Sequence, residues 1–390
     1  MSSLEWSPTG ATRGGLRIDG VFLMLVAAIV LLGLVMVGSA SINMSSKETG
    51  QPFGYLEKQL FLVLAGSIGA ALIAMIPIAW LEKHAFKLLV IAGTLLLLVL
   101  IPGLGMRING ASRWLRLPGF GFQVSEAARV LTLIYLASYC VRFEEDLRTG
   151  PGAFMRALGM LSLLSALLLL EPDFGAATVL LVTGFGLLFL AGSQLRWVLA
   201  ALALGVLGLV GLVLISSYRM RRLKTFLDPW ADPLKDGFQL TQSLIAIGRG
   251  EWFGVGLGAS VQKLFYLPEA HNDFLFAVLA EELGLIGVLV TIGLFLALAL
   301  RVLLLARRAQ QVGLKFHSYL AAGFGLWLGV QAFVNMGVNM GVLPTKGLTL
   351  PLMSYGRSSL IVTLCWIGLI LRVHHEVAAG GRSPKRGAHA

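Results

Sequence analysis

The sequence predicts an all-α polytopic membrane protein with ten transmembrane helices, and three of its features carry this prediction. Hydrophobic residues make up 57% of the 390 residues and charged residues only 13%, whereas soluble domains carry about 25% charged residues. The hydrophobic residues fall into long runs that polar segments separate. The basic residues gather in alternate polar segments, as in membrane proteins with a fixed orientation. Lipid is therefore the expected environment of most of the chain.

Ten apolar runs come close to the ~20 residues that an α-helix needs to cross a bilayer. They lie near 21–37, 59–79, 88–103, 125–141, 154–170, 174–191, 196–217, 272–300, 317–341 and 352–371. The first run ends in Gly38-Ser39-Ala40-Ser41, which resembles a signal-peptidase site, but it is longer than the ~7–15 residues of a signal core. We interpret it as an uncleaved span that follows a cytoplasmic segment at 1–17.

An even number of spans places both chain termini on the same side of the membrane. With the termini inside, most Lys and Arg residues fall in inner segments, and the short outer loops hold few. Those few are Lys47, Lys58, Arg107, Arg113, Arg116 and Lys346. The positive-inside rule therefore predicts an N-in, C-in orientation. The predicted spans lie in a membrane domain at 18–372. The inner tail at 373–390 is predicted to be disordered from its composition.

A large outer loop, residues 218–271, is expected between spans seven and eight. Four basic residues cluster near its start, Arg219, Arg221, Arg222 and Lys224. Long loops partly escape the positive-inside rule, so a solvated linker would account for the cluster. The aromatic residues and glycines of the same loop favour a folded segment that lies at the membrane interface and binds an anion.

The unusual polar residues near the predicted spans all fall on the outer side. They are Arg113, Glu126, Arg129, Glu171, Asp173, the basic cluster, His271, Asp273, Lys346 and the corner from Ser354 to Ser359. Ionisable groups near a span are costly to keep there and are commonly functional. A carrier tends to place them near mid-membrane. An enzyme that acts on a lipid-linked anionic substrate would place them at one interface.

Asp273 opens the eighth span and allows two interpretations, a cap of the helix that follows and a catalytic carboxylate. Glu126 and Arg129 are three residues apart, so they share a helix face and can form an ion pair. Glu281 and Glu282 lie two helical turns beyond Asp273. The sequence leaves open whether these two carboxyl groups face the protein interior or whether the helix protrudes from the membrane before it enters lipid.

Motifs for metal ligation and for nucleophilic catalysis are absent from the sequence. Cys140 and Cys365 lie far apart in apolar stretches and form no ligand spacing. The net charge of +11 is attributed to membrane topology and anionic headgroups. No stretch interleaves basic and aromatic residues as base stacking would require, so no nucleic acid partner is expected.

Several separated motifs occur in an order that resembles a known family. They are Asn109–Trp114, Phe122–Glu126, Glu171–Gly175, Asp228–Trp230 with Gln239–Ser243, Leu267–Phe276 and Leu343–Leu360. Together they look like the SEDS family (shape, elongation, division, sporulation), and the similarity extends from about residue 20 to 375. The segments Pro344–Pro351 and Pro268–His271 resemble the division branch more than the elongation branch.

The resemblance implies a ten-span peptidoglycan glycosyltransferase that polymerises lipid II. Its implied partners are a class B penicillin-binding protein, which is an FtsI-like transpeptidase, and division regulators such as FtsQ, FtsL, FtsB and FtsN. The implied location is the division septum of the bacterial cytoplasmic (inner) membrane, with the active site facing the periplasm. In the family the aspartate of a His-x-Asp-Phe motif is catalytic, and this aspartate matches Asp273.

The family's Ser-Glu-x-x-Lys segment matches Ser125, Glu126 and Arg129. The chain departs from the family pattern at three positions. Val124 stands where the family usually has Pro, Arg129 where it has Lys, and Arg357 where it has Gly. Arg129 keeps the positive charge but presents a planar guanidinium instead of a compact ammonium group.

The implied reaction converts an α-linked pyrophosphate into a β-1,4 linkage, so it inverts the anomeric carbon and needs one base for the attacking hydroxyl. The leaving pyrophosphate is an anion that cations would stabilise. We therefore expect Asp273 to act as the base. The expected substrate-binding residues are Arg113, Glu126, Arg129, Arg219, Arg221, Arg222, His271, Lys346 and Ser354. No cofactor is certain; a divalent cation, Mg or Mn, could share the pyrophosphate, but no ligand set is recognisable.

Two other functions fit the same residues. A lipid II flippase would also need ten spans and an anion site, although the one-sided placement of the polar groups argues against it. A non-catalytic division scaffold would only recruit a transpeptidase.

Overall fold

The structure is a computed structural model that describes residues 17–108, 111–117, 120–215, 217–235, 237–345 and 347–380. Within these ranges the chain forms helices and one small sheet. In chain order they are α1 (Gly20–Thr49), α2 (Gly54–Ala74), α3 (Ile78–Leu100), β1 (Gly105–Ile108), β2 (Ala111–Leu117), β3 (Phe120–Gln123), α4 (Val124–Arg142), α5 (Glu144–Thr149), α6 (Pro151–Leu170), α7 (Phe174–Leu190), α8 (Leu195–Ile215), α9 (Ser217–Leu227), α10 (Phe238–Arg249), α11 (Leu275–Gln311), α12 (Lys315–Asn339) and α13 (Arg357–Gly380).

Eight of the described helices are long and apolar enough to cross a membrane by length and composition, namely α1, α2, α3, α4, α6, α11, α12 and α13. Two shorter apolar helices, Phe174–Leu190 and Leu195–Gly208, fall where the sixth and seventh spans are predicted. The chain is thus a mostly helical, multi-pass membrane protein. The count of ten spans and their orientation stay predictions.

Several helix boundaries differ from those expected from the apolar runs. The run near 59–79 corresponds to α2, and the run near 88–103 to α3, which begins ten residues earlier, after Pro77. An apolar run stops short of a helix end that carries charged residues, so it underestimates the helix. The boundary between the two helices lies at Pro77, because proline lacks the amide hydrogen needed inside a helix. The last helix is also shifted, because α13 continues to Gly380. The predicted tail at 373–390 therefore starts within a helix, and residues 381–390 lie outside the described part.

The all-α expectation missed a small antiparallel sheet between α3 and α4, with strand order β1-β2-β3. Trp114 of β2 lies opposite Gln123 of β3. The dipeptide Asn109-Gly110, which is typical of a two-residue hairpin turn, is the sequence signal for this sheet. The sheet matters for function because β2 carries Arg113 and β3 leads directly into α4.

Helices α4 and α12 are the most buried of the candidate spans. Around them α2 packs on α13, α3 on α4, α7 on α12 and α11 on both α1 and α12. Buried rings fill the centre, where Trp327 of α12 and Trp366 of α13 lie 5.1 Å apart between ring centroids. Among the described residues, helix α8 packs on α6, α7 and α9.

An ion pair and hydrogen bonds tie the helices together at one end of the bundle. Arg301 of α11 donates two hydrogen bonds, of 2.8 and 2.9 Å, to the carboxylate of Asp19 before α1. Glu376 of α13 accepts a 3.2 Å bond from the backbone N–H of Ile78 and lies 2.6 Å from the ring of His317. This end holds the starts of α1, α3 and α12. The starts of α4, α7, α11 and α13 therefore meet at the opposite end.

Two departures from the family pattern fall on the first residues of helices. Val124 is the first residue of α4. Arg357 is the first residue of α13, and its side chain is exposed. Proline suits the first helical position but is not required there. The backbone of Arg357 is helical, so position 357 does not need the conformational freedom of glycine.

Helix α11 is broken at Gly284, whose φ of 65° and ψ of −164° are not helical. The loop after α10 fills the break. Val255 donates a 2.9 Å backbone hydrogen bond to the carbonyl of Glu281, and Leu285 donates one of the same length to Glu251. Glu281 and Glu282 are fully buried at this break. The two glutamates therefore face the protein interior, which answers the question that the sequence left open.

Gly284→Ala is expected to destabilise the protein strongly. A Cβ at this position would lie 2.3 Å from the backbone nitrogen of Gly254, and the backbone conformation is one that residues other than glycine adopt only at a cost. Thermal unfolding in detergent should show a clearly lower Tm. Gly293→Ala is the control in the same helix, because a Cβ there would meet nothing within 4 Å. Equal Tm values for the two variants would contradict the prediction.

Candidate active site

Asp273 lies in the turn before α11 at the end of the bundle opposite the Asp19–Arg301 pair. Its side chain is partly exposed. Its Oδ2 atom lies against the chain that leads to α13, since a Cβ added to Gly347 would be 3.2 Å away. The turn and this chain are also joined by a 3.0 Å hydrogen bond from the N–H of Tyr355 to the carbonyl of His271.

The structure does not assign Asp273 the role of a helix cap. The cap position of α11 is Phe274, and no side chain of that residue or of Asp273 caps the helix. The amide of Asn339 does so from α12, because its Oδ1 accepts a 3.1 Å hydrogen bond from the N–H of Ala277. The carboxylate of Asp273 is thus left available for another role.

Two asparagines of α12 hold the backbone of Asp273. The side-chain amides of Asn335 and Asn339 donate hydrogen bonds of 2.9 and 3.0 Å to the carbonyl of Asp273. Asn335 also donates a 2.6 Å bond to the carbonyl of Leu348. Both asparagines are buried, where a hydrogen bond is stronger than it is in water. The position of the Asp273 turn is therefore set by helix α12.

Burial raises the pKa of the Asp273 carboxyl to about 7, because a charged group loses solvation there. The negative charge of Glu269 raises the pKa further, as does that of Asp173, whereas Arg113 lowers it. About half of the carboxyl groups are then ionised near neutral pH. Such a group can accept a proton with a useful driving force.

Arg113 of β2 reaches the turn between α6 and α7. Its Nε donates a 3.2 Å hydrogen bond to the carbonyl of Glu171, and its Nη2 donates to the carbonyl of Pro172. Burial, and then the nearby charge of Asp173, raise the pKa of Glu171 to about 9. Glu171 is therefore uncharged near pH 7, so it does not offset the positive charge of Arg113.

Asp173 is the side-chain cap of α7. Its Oδ1 accepts a 3.1 Å hydrogen bond from the N–H of Ala176, while its Oδ2 accepts one of 3.0 Å from the hydroxyl of Ser125. Gln123, at the end of the sheet, donates to the same oxygen at 3.4 Å. These contacts lock the start of α7 onto the start of α4.

Glu126 and Arg129 form the ion pair that their spacing predicts. The Nη2–Oε2 distance is 2.5 Å, and both side chains are nearly inaccessible to solvent. Arg129 also donates a 3.0 Å hydrogen bond to Oε1 of Gln331, which in turn binds the carbonyl of Thr349. In this structure the pair connects α4 to α12 and to the chain before α13.

His271 and Ser354 lie beside Asp273 in the fold but point into packed surroundings. The ring of His271 contacts Tyr55 at 4.9 Å and Tyr355 at 5.6 Å between centroids. Burial lowers the pKa of this histidine, so its ring is neutral at pH 7. The hydroxyl of Ser354 accepts a 3.0 Å hydrogen bond from the N–H of Leu350 and closes the turn before α13.

The basic cluster of the long loop lies in α9, which packs on α8. Arg221 is exposed there. The side chains of Arg219 and Arg222, and all of Lys346, lie outside the described residues. Across the ranges that the structure describes, no three His, Cys, Asp or Glu side chains gather as metal ligands.

The sequence reasoning missed the side chains that position Asp273. Asn335 and Asn339 are four residues apart in an apolar span, and so share one face of α12. Polar amides on one face of a predicted span are the signal that could have identified them. Gln331 lies on the same face, one turn earlier. Gly347 carries no such signal, since only the fold shows that it touches the carboxylate.

Comparisons with known proteins agree with this arrangement. The family model described as "Cell cycle protein", covering FtsW, RodA and SpoVE, matches residues 20–379. A probable peptidoglycan glycosyltransferase FtsW of Thioalkalivibrio sulfidiphilus is 53% identical over 366 residues, which cover 94% of this chain and 91% of that protein. This relative confirms the resemblance to the division branch.

Two solved structures are also similar. One belongs to a study of the structural coordination of polymerisation and crosslinking by a peptidoglycan synthase complex. It has a TM-score of 0.74 and 35% identity, over 93% of this chain and 99% of that one. The rod shape determining protein RodA of Thermus thermophilus gives a TM-score of 0.66 and 31% identity, over 93% and 98% of the two chains. The chain therefore belongs to the FtsW, RodA and SpoVE family, the SEDS family that its motifs resemble.

Proposed function

We propose that this protein is a peptidoglycan glycosyltransferase that polymerises lipid II into β-1,4 glycan strands, with Asp273 as the general base. The observation that carries the proposal is the Asp273 carboxyl. It is partly exposed, has a pKa of about 7, and stands on a turn held by two buried amides of α12. Relatives named as peptidoglycan glycosyltransferases support the reaction class.

The proposed step is a single inverting displacement. Asp273 takes the proton of the attacking sugar hydroxyl while the new C–O bond forms at the anomeric carbon. The bond from that carbon to the pyrophosphate oxygen breaks, and undecaprenyl pyrophosphate leaves as an anion. An exposed aspartate with a pKa of about 3.9 would be a weaker base. The raised pKa of Asp273 suits proton transfer near neutral pH.

Cations are the other requirement, since negative charge builds up on the leaving pyrophosphate. Arg113 is the cation whose charge acts on Asp273, so we assign it to the pyrophosphate. Arg219, Arg221, Arg222 and Lys346 are proposed to attract the same anion. Arg129 and Glu126 are assigned a positioning role, because their side chains are buried against each other.

His271 and Ser354 are retained as proposed substrate-site residues that shape the surroundings of Asp273 instead of supplying charge. Among the described residues, no three His, Cys, Asp or Glu side chains form a metal site. A divalent cation, Mg or Mn, would therefore be held by the pyrophosphate together with Asp273. Polymerisation that survives a chelator would remove this cation from the proposal.

The distribution of polar groups favours the polymerase over a flippase. The groups around Asp273 share one end of the bundle, while the Asp19–Arg301 ion pair and the His317–Glu376 hydrogen bond tie the helices together at the other end. A flippase must open both ends in turn. A scaffold that only recruits a transpeptidase would have no need of a carboxyl group with a raised pKa.

The proposed partner is a class B penicillin-binding protein of the FtsI type, which would crosslink the strands. A similar structure that belongs to a complex for polymerisation and crosslinking supports this partner. FtsQ, FtsL, FtsB and FtsN are proposed as regulators. The proposed location is the division septum, with ten spans, both termini inside and the Asp273 end facing the periplasm.

The test is a reconstitution in liposomes with purified lipid II and the transpeptidase partner. Glycan strands, separated by gel electrophoresis, are the expected product. Leaflet transfer of a labelled lipid II is measured in the same liposomes. Transfer without glycan formation would replace the proposal by the flippase. The absence of both activities, with the partner still bound, would replace it by the scaffold.

Arg113→Met is expected to lower polymerisation at neutral pH by about 10-fold or more, the effect typical of a lost electrostatic contact. Arg113 lowers the pKa of Asp273. Its removal should therefore raise that pKa and move the acid limb of the pH–rate profile to higher pH. The matched control is Arg116→Met on the same strand. A profile of Arg113→Met that coincides with the control would contradict the assignment.

A further inference from the structure

The segment that carries Asp273 is closed on itself by a buried ion pair. Residues 264–281 connect Lys263 to Glu282, and Asp273 lies in the middle of this segment. The Nζ of Lys263 lies 2.7 Å from Oε1 of Glu282, and their side chains are 4% and 0% exposed. The two ends of the segment are therefore held at one point, far from water.

Ser39 of α1 completes this closure. Its hydroxyl lies 2.7 and 2.8 Å from the two carboxylate oxygens of Glu282, and 2.9 Å from the Nζ of Lys263. Ser39 is thus in contact with both members of the pair. The pair is anchored to a helix that carries none of the groups placed around Asp273, so the closure has a fixed reference in the bundle.

Glu281, next to the pair, binds the turn that precedes Lys263. Its carboxylate accepts hydrogen bonds from the hydroxyl of Ser260 at 2.5 Å and from the N–H groups of Val261 and Gln262 at 3.1 and 3.3 Å. Arg249 of α10 lies 3.7 Å from the same carboxylate. Two buried carboxylates are thereby compensated by two cations and several hydrogen bonds.

Such a network has one arrangement that satisfies all its members, because a buried charge without its partners is strongly unfavourable. The centre of the segment has its own restraint from α12, since Asn335 and Asn339 hold the carbonyl of Asp273. In its turn, the backbone N–H of Asn272 and of Phe274 both bond to the carbonyl of Glu269. The start of the segment depends on the closure, since Leu267 bonds to the carbonyl of Gln262.

We propose that Lys263, Glu282 and Ser39 form a clasp that positions Asp273, and that these three residues act on catalysis only through the placement of the Asp273 turn. This inference rests on the proposed function for its kinetic effect. The structural effect, which is that the clasp keeps the backbone of residues 264–274 ordered, is independent of the proposed function.

The test compares Lys263→Met, Glu282→Gln and the double variant in the full-length protein. Hydrogen exchange of the 264–274 backbone amides should accelerate about 10-fold or more in each single variant, because the start of the segment is released. The kcat of polymerisation should fall by about 10-fold, with KM for lipid II nearly unchanged, as expected when a catalytic group is misplaced.

The double variant shows whether the residues act as one unit. Residues that share one interaction are not additive, so the double variant should match the worse of the two single variants. Multiplied effects of the two single variants on exchange would overturn the clasp. Wild-type exchange at 264–274 in Lys263→Met would overturn it as well.

Two further variants keep the test decisive. Asp19→Asn breaks an ion pair at the other end of the bundle and should leave both exchange at 264–274 and kcat unchanged. If Lys263→Met fails to fold, Ser39→Ala removes only one hydroxyl and should give a smaller acceleration confined to the same segment. Acceleration spread over α12 and α13 would overturn the proposal. If Asp273→Asn still polymerises, the proposed function fails, while the exchange data still decide on the clasp.

Discussion

Asp273→Asn should lower lipid II polymerisation by about 100-fold or more, the contribution typical of a general base. The amide is nearly isosteric with the carboxyl but cannot accept the proton of the sugar hydroxyl. The hydrogen bonds that place this turn use the backbone carbonyl of Asp273, so they survive the substitution. Glycan formation by the purified complex, at equal amounts of folded protein, is the measurement.

The pH dependence gives a second signature of the same group. The base must be ionised, and burial raises the pKa of Asp273 to about 7. Activity should therefore rise through neutral pH, and fall on acidification well before an ordinary aspartate would be protonated. The residual activity of Asp273→Asn should lack this limb.

Glu269→Gln is the control for this interpretation. Glu269 raises the pKa of Asp273 by its charge, so its removal should move the acid limb to lower pH and leave the maximal rate similar. Polymerisation by Asp273→Asn at the wild-type rate would exclude Asp273 as the base. A limb that persists in that variant would assign the titration to another group.

Asn339→Ala is expected to lower kcat by about 10- to 100-fold, in the range that a misplacement of about 1 Å can cause. The substitution removes the 3.0 Å donor to the carbonyl of Asp273 and the 3.1 Å acceptor for the N–H of Ala277. The carbonyl of Asp273 and the N–H of Ala277 each lose one hydrogen-bond partner. Each loss lowers the free energy of unfolding by up to about 3 kcal/mol.

Asn339→Asp keeps the acceptor for Ala277 but removes the donor to Asp273. Its carboxylate would be buried without a partner beside the carbonyl of Asp273, so kcat should fall and the Tm should fall at least as far as in Asn339→Ala. Ser243→Ala is the mild control, because Ser243 donates only to the carbonyl of Asn339. A wild-type kcat in Asn339→Ala would show that α12 does not position the catalytic turn.

Much of the candidate site was accessible from the sequence. The motifs identified Asp273, and the spacing of Glu126 and Arg129 predicted their ion pair, which is confirmed. The interpretation of Asp273 as a helix cap was wrong, because Asn339 supplies the side-chain acceptor in the first turn of α11, for the N–H of Ala277. Local sequence cannot exclude a cap that arrives from another helix.

The sheet and the break in α11 were not predicted, for different reasons. The sheet had a local signal in Asn109-Gly110, which the apolar-run criterion does not weigh. The break depends on the loop after α10, whose backbone groups bond to the chain around Gly284. An isolated helix would have no reason to open there, so the break is a property of the tertiary structure.

The sequence by itself determined the membrane class, the approximate spans, the polar end of the bundle and the carboxyl group on which the proposed chemistry depends. The first three follow from composition, run length and the placement of charged residues along the chain. The carboxyl group follows from the resemblance of its motif to a known family. Only the tertiary structure decided that Glu281 and Glu282 are buried, that Asn335 and Asn339 hold the Asp273 turn, and that Lys263 meets Ser39. Those contacts join residues that are far apart in the sequence, and their energies depend on burial and distance, which no single stretch of chain contains.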